Sequence, residues 1–358
     1  MNKKLILSLC LGLIFSGLAL YLAFRNIPVR DLVHYLGTVN YAWLIPVSLS
    51  AFLSFILRVF RWKWILKSYK PVSFWGAFHP LMIGFMLNCI LPGRMGELAR
   101  PIILAKREKI PFSTGVASVV CERLFDLICL ILFLVLSLSY ITIDPALTVT
   151  VGKYQLTGAT LTHVCYGMAK LCLALIVGII LVSIKVFREL LANFVISIPK
   201  YLVFLSIQQR NWLETKVFRP ASRLIEHFAD GLALLKNPGK ILACLGITLA
   251  IWVVQALSYY LMTFACPGLD VSFPQIVTVM VMICFFIALP SVPGYWGIWE
   301  AGGIFALTLF SVAGESAAGY TLINHVVQIV PVIIAGMISA LMIGINFKQL
   351  FNQDSSNV

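Results

Sequence analysis

A chain of 358 residues that is 60% hydrophobic and only 11% charged, with 27 Lys and Arg against 14 Asp and Glu, is not a soluble globular domain. A mean hydropathy of +0.96 and apolar runs of about twenty residues predict an all-α polytopic membrane protein, since barrel strands would alternate with period two. The net charge of +13 sits in loops flanking those runs, as the positive-inside rule requires, and so does not imply a nucleic-acid partner.

The first apolar run, residues 5–24, reads as a span with the N-terminus inside, because no small-x-small site closes it as a signal peptide. A short outer segment with Arg25, Arg30 and Asp31 leads to a second span, 41–60. Its exit, Arg61-Trp62-Lys63-Trp64 with Lys67 and Lys70, has the basic, Trp-bearing look of a cytoplasmic interface.

Residues 74–91 form the next apolar run. A full crossing there would put Arg94, Arg100, Lys106, Arg107 and Lys109 outside, against the positive-inside rule. The conflict disappears if the chain dips in from the cytoplasm, turns at Leu91-Pro92-Gly93 and returns, giving a re-entrant helical hairpin over about 74–105. A long helix over 113–143 then carries Cys121-Glu122-Arg123-Leu124-Phe125-Asp126, followed by a turn-rich outer loop, 144–157, and a span, 161–184. Residues 185–240, with interspersed basic and apolar side chains, suit amphipathic helices on the cytoplasmic face.

The second half holds a span at 241–264, a second broken segment around Pro293-Gly294 within about 274–312, and a last span, 320–345, ending inside at Lys348. For both termini to be cytoplasmic, the second hairpin must enter from outside. The expected architecture is one integral membrane domain over 1–358, of about six spans plus two hairpins. Its halves are 1–184 and 241–358, joined by 185–240. Pro92-Gly93-Arg94-Met95-Gly96-Glu97 and Pro293-Gly294-Tyr295-Trp296-Gly297, with Glu300 just beyond, share a Pro-Gly-x-x-Gly pattern. Paired breaks of opposite orientation are the mark of an inverted repeat with a midplane site, so the two Pro-Gly turns should meet near the bilayer centre.

The chemistry-bearing residues are charges at membrane depth, each costing about 2.5–3.5 kcal/mol if unpaired. Arg94, Glu97 and Arg100 follow the first turn, and Glu122, Arg123 and Asp126 share neighbouring faces of one helix. One reading is a buried ion-pair network that touches no substrate. The other gives Arg94, Arg100 and Arg123 to an anionic group, since guanidinium forks match phosphate oxygens, while Glu97, Glu122, Asp126 and Glu300 hold the arginines or exchange protons. His79 and His325 read as packed or interfacial, and Gln255, Asn324 and Gln328 as interhelical hydrogen-bond partners. Tyr295, Trp296 and Trp299 either shape a groove for lipid tails or simply pack. Nine cysteines without a CxxC pair or Cys/His ligand spacing give no metal, disulfide or cofactor expectation.

In Asn88-x-x-Leu91-Pro92-Gly93-Arg94-x-Gly96-Glu97-x-x-Arg100, Glu122-Arg123-x-x-Asp126 and Pro293-Gly294-x-x-Gly297-x-x-Glu300 the chain resembles the transmembrane-region family of lysylphosphatidylglycerol synthetases, of the multiple peptide resistance factor type, and their stand-alone relatives. The resemblance implies a lipid translocase or a partner in envelope lipid and glycolipid assembly. No soluble aminoacyl-transfer domain follows the membrane region in this sequence, so aminoacylation is not expected.

The leading expectation is therefore a non-enzymatic flippase moving an anionic phospholipid or polyprenyl-phosphate-linked lipid across the bacterial inner (plasma) membrane. A membrane enzyme acting on a lipid phosphate, with Glu122 or Asp126 as base, is one alternative; no metal-ligand, nucleophile or nucleotide-loop motif supports it. A scaffold for lipid-synthesising enzymes docked on 185–240 is another. The expected partners are a lipid with an anionic headgroup, a lipid-synthesising enzyme and a second copy of the chain.

Overall fold

The computed structural model describes residues 14, 16–25, 27–91, 94–140, 148–151, 154–157, 185–201, 238–288 and 292–345, with scattered positions between 166 and 218. The expected span 161–184, most of 202–237, Pro92-Gly93 and the tail from residue 346 lie outside the described residues, in whole or in large part.

The described chain is helical apart from one small hairpin. Helix α1 (16–24) is followed by α2 (Val29–Thr38), so the expected outer segment is itself a helix. Asn40 caps a single 3-10 turn, its Oδ1 accepting from Ala42 N at 3.2 Å, and α3 (Leu44–Leu66) begins directly after it. Helix α4 (Phe74–Ile90) starts at Ser73, whose Oγ accepts from Gly76 N at 2.9 Å, an N-cap of the usual kind. Then come α5 (Met95–Glu108) and α6 (Phe112–Tyr140). Strands β1 (Thr148–Val151) and β2 (Tyr154–Thr157) pair antiparallel, with Val151 opposite Tyr154. The expected loop at 144–157 therefore closes on a hairpin, consistent with its β-branched residues.

Helix α7 (Lys185–Tyr201) bears exposed Val186, Phe187, Leu190 and Phe194 at helical spacing, the amphipathic stripe expected of an interfacial helix. The second half consists of α8 (Pro238–Ala265), α9 (Phe273–Phe286), α10 (Ile298–Thr308) and α11 (Gly314–Met342).

Helix length sorts these elements. Among the described residues three stretches, Tyr41–Leu66, Gly239–Ala265 and Gly314–Met342, are long and apolar enough to cross a membrane. By contrast α4, α5, α9 and α10 have 17, 14, 14 and 11 residues. At 1.5 Å per residue the longest of them reaches only about 26 Å, short of a hydrocarbon core of roughly 30 Å.

The short helices pack in pairs. Along α4, Gly84 sits against Gly96 and Arg100 of α5, and Gly76 against Glu108, so the two run antiparallel. A Cβ on Gly96 would strike the Gly84 carbonyl oxygen, and small residues are what permit such an approach. In the second pair, Gly302 of α10 lies against Phe286 of α9, at 2.9 Å from where its Cβ would be.

Long helices hold the pairs in place. Antiparallel α3 and α8 are joined by Ser50 Oγ to Val254 O and Ser258 Oγ to Val47 O, both 3.0 Å. Gly336 of α11 packs on Met86 of the first pair, and Gly303 of α10 packs on Thr321 of α11. The main core cluster joins Cys129, Phe133 and Leu134 of α6 to Ile276, Met280 and Ile283 of α9. Each short-helix pair thus leans on a long helix from the other half of the chain.

Candidate functional site

The site begins with a buried face of α3. Arg58, Arg61, Trp62 and Ile65 recur at helical spacing and are all buried, whereas Phe60 and Trp64 on the other side are exposed. The helix runs past the expected end of the span at Phe60 to Leu66, and Arg61 and Trp62, expected at the interface, are instead 1% and 0% exposed and face other helices. Arg58 and Arg61 are the functional-site candidates that sequence reasoning missed. Arg58 lay in plain view, as a guanidinium inside an apolar run.

Two carboxylates on α6 receive these arginines. Asp126 accepts from Arg61 through Nη1 at 2.6 Å and Nη2 at 3.3 Å, from Arg123 Nη1 at 3.3 Å and from Trp252 Nε1 of α8 at 3.2 Å. Arg58 stands 3.8 Å from the same carboxylate. Glu122 pairs with Arg100 at 2.7 Å and with Arg61 at 3.6 Å. Arg61 also donates to Thr248 Oγ1 of α8 at 3.0 Å. Arg100 lies over the Trp62 ring at 4.3 Å, deep behind the cavity wall described below.

A third, more open carboxylate faces the first turn. Glu97 is 3.4 Å from Arg123 Nε and 3.9 Å from Arg94. Arg94 sits at φ 54°, a left-handed backbone uncommon for a residue with a side chain, and its Nη2 donates to the Ile287 carbonyl at 2.9 Å. At the corresponding place in the second turn, Tyr295 also has a positive φ, of 63°. A Cβ on Gly294 would lie 3.3 Å from the Cys89 carbonyl oxygen, so the second turn lies against the end of α4; Pro92-Gly93, the other half of the expected meeting, are outside the described residues.

Beside that contact there is a cavity of about 180 Å³. Among the described residues Arg58, Arg94 and Arg123 line it against one carboxylate, that of Glu97. The cluster as a whole has, among the described residues, five guanidiniums, Arg58, Arg61, Arg94, Arg100 and Arg123, against three carboxylates, Glu97, Glu122 and Asp126, a surplus of two positive charges. Sequence reasoning had balanced three against three. Arg58 is buried with an unpartnered Nε, and its faces are covered by Trp252, Phe55 and Phe85 at 5.2–5.9 Å. That leaves its charge in a low-dielectric wall with Asp126, 3.8 Å away and shared with two other arginines, as its counter-ion, so an incoming anion would still be held.

The rest of the wall mixes aromatic and amide groups with apolar side chains such as Met280, Ile287, Ile329 and Val332. Tyr259, Tyr295 and Trp299 line it, as do Gln255 and Gln328. The expected interhelical hydrogen bond joins Gln255 Nε2 to Gln328 Oε1 at 2.8 Å, and Gln328 Nε2 also donates to Ser258 Oγ of α8 at 3.0 Å; its bond to Asn324 Oδ1, at 3.3 Å, stays within α11.

Glu300 is not brought to the arginines. Its Oε2 accepts from Gly297 N at 2.7 Å, closing the first turn of α10, and its Oε1 meets His325 Nδ1 at 2.5 Å. Of the two loci, the arginine cavity is the one whose chemistry suits an anion.

Residues 9–336 match the family described as the lysylphosphatidylglycerol synthase TM region. A relative named glycosyltransferase AglD, from Haloferax volcanii, is 24% identical over 363 aligned residues, covering 94% of this chain and 54% of that protein. The chain thus spans about half the length of this relative. With nearly its whole length matched, the chain belongs to the lysylphosphatidylglycerol synthase transmembrane-region family.

Proposed function

We propose that this chain is a flippase-type transporter, not an enzyme, that passes the headgroup of an anionic lipid through the arginine cavity while the acyl or polyprenyl tails stay in the bilayer. The observation that carries this reading is the cavity itself, with Arg58, Arg94 and Arg123 facing one carboxylate. Guanidinium forks suit phosphate oxygens, and the surplus charge calls for an anion. In the same reading the two short-helix pairs are re-entrant hairpins of an inverted repeat, supported by helices too short to cross alone and by their meeting at the cavity. The membrane is the inner (plasma) membrane, with both termini cytoplasmic. The name of the Haloferax volcanii relative makes a sugar-linked lipid worth including among the substrates.

The test is transbilayer movement of fluorescent lipids in liposomes carrying the purified protein. Anionic glycerophospholipid and polyprenyl-phosphate-linked sugar lipid are compared with a zwitterionic control. Arg58→Gln and Arg94→Ala each remove a charge-assisted contact worth about 1.5–3 kcal/mol, so movement of the anionic lipid should fall roughly ten- to a hundredfold. Unaccelerated movement for every headgroup, or full activity in both variants, defeats the proposal.

A further inference from the structure

Behind the cavity, the second turn is fastened by a polar contact that the arginine site does not use. His325 of α11 and Glu300 of α10 are both fully buried. His325 Nε2 lies 2.8 Å from the Gly294 carbonyl oxygen, Nδ1 lies 2.5 Å from Glu300 Oε1, and Oε2 is engaged by the Gly297 N–H.

Hydrogen-bond accounting fixes the proton count. A carbonyl oxygen only accepts, so Nε2 carries a hydrogen. Nδ1 and Oε1 cannot meet as two lone pairs, so a further proton lies between them, on either atom. The pair therefore holds one titratable proton and has no net charge, as complete burial requires. Among the described residues His325 is the one ion-pair partner of Glu300. Trp299 stacks on the imidazole at 4.5 Å and Trp296 at 4.4 Å. The titratable groups nearby are Tyr259 of α8, stacked against Trp299, and Tyr320 of α11, which donates to the Tyr259 carbonyl. Across the turn, Tyr295 shares the cavity wall with Arg94, Glu97, Arg123 and the thiols Cys89 and Cys284.

We propose that the His325–Glu300 pair is a proton-binding site whose single proton latches the Pro293-Gly294 turn against the first hairpin. When the proton passes to water, two lone pairs and an uncompensated carboxylate face each other. The ring must then turn away, which frees the Gly294 carbonyl and loosens the contact with Cys89. Resting on the transporter reading, this latch couples lipid movement to proton movement.

Glu300→Gln tests the latch without any lipid. The amide oxygen can accept from Gly297, and the amide N–H can donate to Nδ1, so the bonds persist but no proton can leave. Alkylation of Cys89 by a small maleimide, read by peptide mass spectrometry, is followed from mildly acidic to alkaline buffer in the purified proteins. The wild type should label several-fold faster than Glu300→Gln at the alkaline end and equally at the acidic end. Should Glu300→Gln not fold, His325→Gln, which lacks the titrating ring, should likewise show no such wild-type step. Superimposable curves for wild type and a folded variant overturn the proposal. In liposomes, an imposed pH gradient should bias lipid movement by the wild type and leave Glu300→Gln unbiased; equal bias in both also overturns it. A labelling step with no lipid movement in any protein would leave the proton site standing and remove the transporter reading.

Discussion

Replacing Asp126 by Asn separates the roles of the buried and exposed members of the charge cluster. Asp126 receives Arg61 through two nitrogens, Arg123 and Trp252, with Arg58 nearby, and its side chain is only 5% exposed. The amide keeps the shape but removes the charge facing three arginines, and its NH2 turns a donor toward other donors. Breaking a buried pair by removing one partner costs about 3–5 kcal/mol, because the remaining charges stay buried. That is about two to three and a half decades in the folding equilibrium. Glu97→Gln is the internal comparison: its side chain is 27% exposed, its partners stand at 3.4 and 3.9 Å, and solvent screens the pair, so roughly 1 kcal/mol or less is at stake. Thermal unfolding of the two variants in one detergent, followed by loss of the monodisperse size-exclusion peak, reads the difference. Equal thermal stability would refute the claim that the Asp126 junction, rather than the cluster as a whole, holds α3, α6 and α8 together.

Other substitutions probe the packing and the topology. Gly96→Ala drives a methyl into the Gly84 backbone carbonyl, which cannot move aside, and should abolish folded protein. Gly246→Ala, in a helix with open space around it, should be neutral or gain about 0.5–1 kcal/mol, and expression and melting profiles compare the two. Gln328→Leu strands the amides of Gln255 and Asn324 and should cost about 0.5–2 kcal/mol in the same assay. Cysteines placed at Lys106 and Glu315 should react with impermeant reagents from the cytoplasmic and outer sides respectively; the reverse at either position removes the two-hairpin topology.

The division into short helices was legible because Pro-Gly pairs interrupt a helix locally: helices α4, α5, α9 and α10 fall close to where that signal places them. Arg58 and Arg61 were not legible as site residues, because an apolar run gives a boundary but not a face. Residues 58, 61, 62 and 65 share the buried side of α3, and only the partners on α6 and α8 reveal what that side meets. Glu300 illustrates the converse error. It stands three residues after Gly297, the spacing at which a glutamate reaches back to cap its own helix, and that local claim outweighed the distant arginines. Of the two readings of His325, packed or interfacial, its complete burial selects the first, but its partners lie on other elements and no spacing announces them.

The charge count bears on whether the cluster serves a ligand or merely holds helices together. A network evolved only for packing has no reason to retain two guanidiniums beyond its carboxylates, since each unpaired charge at depth costs about 2.5–3.5 kcal/mol. Aromatic faces return about 0.5–2 kcal/mol to Arg58, and Asp126, 3.8 Å away but shared with Arg61 and Arg123, offsets only part of the remainder. If that remainder is kept for an anion, Arg58→Met should do two opposite things. It should raise the thermal stability of the empty protein, by about 1–2 kcal/mol, because a flexible apolar chain of similar volume replaces a strained charge. It should also abolish the stabilisation that an anionic lipid gives the wild type, which by mass action is about 2.7 kcal/mol at a hundredfold excess over Kd. Melting curves with and without lipid read both effects together. A variant that is destabilised when empty, or that still gains full stability from the lipid, would show Arg58 to be a structural residue and the surplus charge to have another purpose.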